Sequence, residues 1–170
     1  MENTVYCLAS SEAQANSILT HLRNLSFSPS EISVVLPAHL SDTKNISMKE
    51  DAIRGAETGG VVGGILGWLA GISALALPGV GAFIAAGPLV SALGGAVAGG
   101  VVGGLAGGSG AVHPLGLPKD ISARIEDRLR AGDILISVHS DDPVVRERAV
   151  RVFRASGADD IYYHDEEAAA

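Results

Sequence analysis

Apolar positions change their rhythm three times along this chain. Residues 4–10, "TVYCLAS", and 32–37, "ISVVLP", are short apolar runs rich in strand formers, and Pro37 ends the second. Between them "SEAQANSILTHLRNL" places Ala15, Ile18, Leu19 and Leu22 on one helical face, with Ser10 or Ser11 positioned to cap its start. "SFSPSE" then breaks the helix. Near the other end "PKDISARIEDRLRAG" predicts an amphipathic helix carrying Ile121, Ile125 and Leu129, with Gly132 as its stop. "DILISVHS" (133–140) predicts a strand. "DDPVVRERAVRVFRASG" predicts a helix with Pro143 in its first turn, Gly157 after its end, and Val145, Ala149, Val152 and Phe153 facing inward. "ADDIYYHD" supplies a last short strand, and "EEAAA" a frayed tail.

Two β-α-β halves in one chain predict an α+β fold of the ferredoxin-like kind, with four antiparallel strands and helices on one face. On this reading residues 1–50 form the first half and residues 113–170 complete the same domain as an α-β-α-β half. Residues 51–112 are an inserted glycine-rich apolar helical hairpin, reached through the polar connection 38–50. Neither half is long enough to bury a satisfactory core by itself, so the two must pack together.

The third rhythm is that of the insertion. Between Glu57 and Lys119 there is no Asp, Glu, Lys or Arg. Seven glycines fall within residues 55–71 and eight within 94–108. Each costs about 1 kcal/mol relative to Ala in a water-exposed helix, so something outside such a helix must favour it. A bilayer would, because an unpaired backbone group in hydrocarbon costs several kcal/mol. Residues 56–77 as a helix would span about 33 Å, against a hydrocarbon core of about 30 Å. "PGVG" (78–81) is a turn signal, the apolar stretch 78–87 a loop, and Pro88 suits the first turn of a second helix running to about Gly108. The expectation is a transmembrane hairpin in a bacterial inner membrane. Lys44, Lys49, Arg54, Lys119, Arg124, Arg128 and Arg130 flank it on one side, which places both termini in the cytoplasm.

Small residues four apart let helices approach closely. Gly55, Gly59, Gly63, Gly67 and Gly71 form one such ladder, and Gly87, Ser91, Gly95, Gly99, Gly103 and Gly107 another. These are the candidate helix-packing positions, and a second smooth face on each helix points to a homo-oligomer. The serious alternative is a soluble cytoplasmic homo-oligomer whose apolar hairpins form a shared core. Trp68 does not decide between them, lying mid-segment rather than at an interface. A flexible linker is a poorer reading, because Val, Ile, Leu, Trp and Ala fill the gaps between glycines.

Charge and candidate chemistry add mainly exclusions. Residues 1–57 hold four basic and seven acidic side chains, and residues 119–170 eight and twelve. With no dense basic stripe, nucleic acid is not an expected partner. The single cysteine, Cys7, excludes an internal disulfide and reads as a buried small hydrophobe. Met1-Glu-Asn-Thr has neither a basic start nor a long apolar run, so a signal peptide is not expected. His21, His39, His113, His139 and His164 share no metal-ligand spacing, so no metal is expected. "HSDD" (139–142) sets a histidine beside two carboxylates, and Asp141 or Asp142 capping a helix before Pro143 is the simpler reading. "YYHDEE" (162–167) reads as a solvated terminus rather than a cation site. No glycine pattern follows a strand and opens a helix as a dinucleotide or phosphate loop would, so no cofactor is expected. No activated Ser or Cys nucleophile can be named.

The run "LPGVGAFIAAGPLVSALGGAVAGGVVGGLAG" (77–107), followed by "LGLPKDISARIEDRLRAGDILISVHSDD" and "ASGADDI", resembles the bacterial general-stress, heat-induced protein family and related glycine-zipper membrane proteins. The resemblance is densest between Leu77 and Ile161, and the longer "GSGAVHPLGLP" departs from it. It implies a stress-associated membrane protein and supplies no catalytic residues. The expected function is therefore non-enzymatic: a membrane-anchored homo-oligomer whose ferredoxin-like part meets a cytoplasmic protein or small ligand. A small pore is disfavoured by the scarcity of polar groups in the hairpin.

Overall fold

Strands with apolar residues on both faces, such as "TVYCLA" and "ILISV", cannot leave one face to water. The computed structural model describes residues 3–37, 72–77, 81–89 and 117–164. Within them lie strand β1 (Thr4–Ala9), helix α1 (Glu12–Asn24), a 3-10 turn (Pro29–Glu31), strands β2 (Ile32–Pro37), β3 (Ile72–Leu77) and β4 (Gly81–Ala86), helix α2 (Lys119–Ala131), strand β5 (Ile134–His139), helix α3 (Pro143–Ala155) and strand β6 (Asp159–His164). The strands form one six-stranded sheet in the order β3-β4-β2-β5-β1-β6, and every neighbouring pair is antiparallel.

The two faces of this sheet carry separate cores. Val5, Cys7, Ala9, Ile32, Val34, Leu36, Ile134, Ile136 and Val138 pack against Ala15, Ile18, Leu19 and Leu22 of α1 and Ala149, Val150, Val152 and Phe153 of α3. The alternate positions Tyr6, Leu8, Val35 and Leu135 meet Ile125 and Leu129 of α2, together with Ala85, Leu89 and Leu117. Every residue of β1 and β2 is consequently buried. Helices thus cover both faces, where the sequence had led us to expect them on one. The reason is that α2 does more than lead back into β5: its Ile125 and Leu129 need an apolar surface, and the second face of the sheet provides it. Each such side chain contributes roughly 1.5–3 kcal/mol when fully buried.

Element ends follow local chemistry. Ser11 caps α1 by accepting from the Gln14 backbone N–H, and Asp142 caps α3 by accepting from Val144 N–H at 2.8 Å. Ser28 and Glu31 form a reciprocal capping box around the 3-10 turn. Gly132 ends α2 at φ 107°, where its N–H meets the Arg128 and Leu129 carbonyls.

The membrane hairpin is corrected by the structure. Residues 72–77, expected to be the end of the first transmembrane helix, are strand β3, and residues 81–86, expected to be loop, are strand β4. They pair from Ile72↔Ala86 to Leu77↔Gly81, and β4 continues the sheet by pairing Val34↔Ala86 through Pro37↔Phe83. Among the described residues no helix is long and apolar enough to cross a membrane. The transmembrane assignment and the inner-membrane location therefore lose their basis. "ISALAL" and "GAFIAA" are six-residue apolar runs, and periodicity at that length does not separate a strand from a piece of helix. The rest of the first expected helix, 56–71, and the second beyond Leu89 lie outside the described residues.

Gly87 closes the hairpin's exit. Its φ is +87°, and a Cβ there would lie 2.0 Å from the Ile32 carbonyl oxygen and 2.9 Å from Ser33 Cα. The chain can cross β2 this closely only because residue 87 has no side chain. At Gly132, also left-handed, a Cβ would meet nothing within 4 Å. Gly132→Ala should therefore cost about 1 kcal/mol of conformational strain, whereas Gly87→Ala should cost about 3 kcal/mol or more because backbone must move. Urea denaturation midpoints of the two variants check this ranking.

Candidate functional site: a buried histidine among three hydroxyls

Three strands each carry one serine or threonine in a largely apolar run, and the register gathers them at one end of the α2 face. Thr4 of β1 lies opposite His139 of β5, and Ser33 of β2 lies opposite Ser137 of β5. Side chains two apart on a strand share a face, so Ser137 and His139 are neighbours. Thr4 Oγ1 is 2.9 Å from His139 Nδ1, Ser33 Oγ is 2.9 Å from Nε2, and Ser137 Oγ is 3.0 Å from Nε2. The Leu89 backbone N–H donates to Ser33 Oγ at 2.9 Å. Thr4, Ser33 and Ser137 are fully buried.

The donors and acceptors close into a chain. Ser33 Oγ accepts from Leu89, which leaves its own proton free to donate to His139 Nε2. In the tautomer that accepts this proton, Nδ1 carries the ring proton and donates to Thr4 Oγ1, whose hydroxyl also bonds the Tyr6 phenol. The cluster thus runs from β1 through β5 and β2 to the residues after β4. Burial lowers the His139 pKa to about 4 and raises that of Tyr6 to about 12, so both are neutral at physiological pH.

Serine beside histidine invites a nucleophile reading, and the geometry does not favour it. Both serine hydroxyls are sealed from solvent, and a ring with a pKa of about 4 accepts a proton poorly near neutrality. What the arrangement does well is hold chain segments together, since each buried hydroxyl left unpaired would cost about 1–3 kcal/mol.

Two further polar features border the core. Asp160, at φ 48°, receives Arg124 at 2.6 Å and Arg128 at 3.2 Å, while Arg128 Nε also bonds Asp133, so α2 is tied to β6. The hydrogen bond to Asp133 is the main reason the Arg128 pKa is raised. A shallow open groove of about 520 Å³ runs between α1 and α3, lined by His21, Asn24, Leu25, Arg148 and Arg151 among others. Of its two arginines, Arg148 donates to the Leu25 carbonyl at 3.0 Å and stacks over Phe27 at 5.4 Å.

Of the expected packing positions, Gly87 lies within the described residues and serves a tight crossing at the end of β4. Gly55, Gly59, Gly63, Gly67, Gly71, Ser91, Gly95, Gly99, Gly103 and Gly107 lie outside them. In "HSDD", Asp142 is the cap, Asp141 accepts from Asn3 at 3.2 Å, and His139 turns into the hydroxyl cluster. His21 bonds Ser156 at 3.2 Å, and His39 and His113 lie outside the described residues. Cys7 is buried, which raises its thiol pKa. No group of three potential metal ligands occurs among the described residues. Sequence reasoning missed Thr4, Ser33 and Ser137. The available signal was one serine or threonine in each of three largely apolar strands. No protein-family description, curated protein or solved structure matches this chain.

The histidine makes stability depend on pH with a definite sign. Its folded pKa of about 4 lies below the ordinary value of 6.5, so between these the unfolded chain binds more protons. Stability should be full above pH 6.5 and fall as pH drops towards 4, by up to ~3 kcal/mol from this group. His139→Gln should be less stable than the natural chain at neutral pH yet flatter across that window. Urea unfolding at a series of pH values measures both slopes.

Proposed function

We propose that this chain is a non-enzymatic, self-associating protein. It forms a homo-oligomer in which the glycine-rich apolar segment between residues 51 and 112 packs copies together in a shared core. The α+β part serves as a structural or ligand-sensing unit. The observation that carries this reading is the pairing of β3 with β4 and of β4 with β2. It makes part of the apolar insertion an extension of the sheet, so the insertion's surface and the folded domain belong to one assembly.

The finer fold assignment belongs to the same proposal. The order β2-β5-β1-β6, with α1 and α3 on one face, supports a ferredoxin-like unit made of two β-α-β halves, onto which β4 and β3 are added. That fold hosts many activities, so it does not by itself select one. A role in stress rests on the resemblance noted above and on nothing further.

The reading predicts that the full-length chain, released from cells without detergent, sediments as a homo-oligomer at a mass independent of added detergent. Recovery only as a monomer across a wide concentration range would overturn it.

A further inference from the structure

The two edges of this sheet are built differently. At one edge, β6 carries Asp159 and Asp160, shifts register against β1 between Tyr6 and Leu8, and holds Asp160 at a positive φ under two arginines. Charges and irregularity of this kind prevent a further strand from adding. At the other edge, β3 is Ile-Ser-Ala-Leu-Ala-Leu, with no charge, no proline, no glycine and an unbroken register of pairs to β4. A strand's N–H and C=O groups point alternately to its two sides, so β3 commits about half of them to β4. Among the described residues none pairs with its other side.

We infer that the outer edge of β3, unpaired among the described residues, is the docking surface for β3 of a second copy, the two pairing antiparallel so that two sheets become one. The inference rests on the self-association proposed above and specifies where it occurs. Charge selects the occupant. The chain carries a net charge of −7, which opposes contact between copies over most of the surface. β3 lies inside the stretch from Thr58 to Pro118 that has no Asp, Glu, Lys or Arg. Two copies meeting there set no like charges opposite each other, whereas a charged peptide would find no counter-charge in the strand. Antiparallel pairing of identical strands is a two-fold contact that uses both edges up, and the blunted β6 edge keeps it from propagating.

The test uses the full chain. Sedimentation equilibrium compares the natural protein with the double variant Ala74→Lys, Ala76→Lys, whose fold is checked by far-ultraviolet circular dichroism and urea midpoint. Alongside it, hydrogen exchange follows the amides of residues 72–77 in the natural protein over a dilution series. The inference predicts a folded variant at half the natural mass, and β3 amides that lose about half their protected positions on dilution. A variant that associates as well as the natural chain overturns edge pairing and leaves self-association standing. A natural chain that is monomeric throughout removes both. Protection that is complete and independent of concentration means that the same chain covers its own edge, which also overturns the inference. Should the variant fail to fold, the dilution series on the natural protein decides.

Discussion

Burial of the sheet on both faces is the constraint from which the other features follow. Once α1 and α3 occupy one side and α2 the other, β1 and β2 have no wet face, and every polar atom on them needs a partner inside the protein. Most positions meet this by being apolar. Thr4, Ser33 and Ser137 meet it through the two nitrogens of His139. A neutral imidazole suits the task, because it offers one donor and one acceptor on opposite sides of a flat ring. Burial keeps it neutral, and neutrality is what lets it remain buried.

The same cluster fixes where the apolar insertion rejoins the domain. Gly87 passes against the Ile32 carbonyl and Leu89 N–H ends on Ser33, so the chain leaving β4 is held at two successive points on β2. The β3–β4 hairpin therefore extends the sheet and adds Ala85 and Leu89 to the core under α2. Functionally this places the uncharged strands β3 and β4 at one edge of the sheet, remote from the arginine–carboxylate ties at the other. Among the described residues one edge is guarded and the other carries no further strand, and the edge-pairing proposal grows from that asymmetry.

Much of this was legible in the sequence, for identifiable reasons. The inward positions of α1, Ala15, Ile18, Leu19 and Leu22, and of α3, Ala149, Val152 and Phe153, follow from helical spacing over more than three turns. Gly132 marks the end of α2 and Asp142 the start of α3 because each solves a backbone problem that few other residues solve. The reading failed between 72 and 86, where absence of charge was taken as evidence for hydrocarbon. A short apolar run is equally suited to a strand buried in protein, and only tertiary pairing distinguishes them. The hydroxyl cluster was out of reach for a related reason. Thr4, Ser33 and His139 are distant in sequence and meet only once the register is set. "HSDD" directed attention to the aspartates, whereas the partners of the histidine lay across the sheet.

The central claim is that residues 72–77 and 81–86 are part of the sheet and that the chain after β4 is clipped to β2. Nuclear Overhauser contacts along the backbone test it most directly. The account predicts cross-strand contacts between Val34–Pro37 and Phe83–Ala86, continued between 72–77 and 81–86. Sequential contacts between residues three apart through 72–86, with no contact to β2, would mean that the segment is helical and separate from the sheet, and would contradict the account.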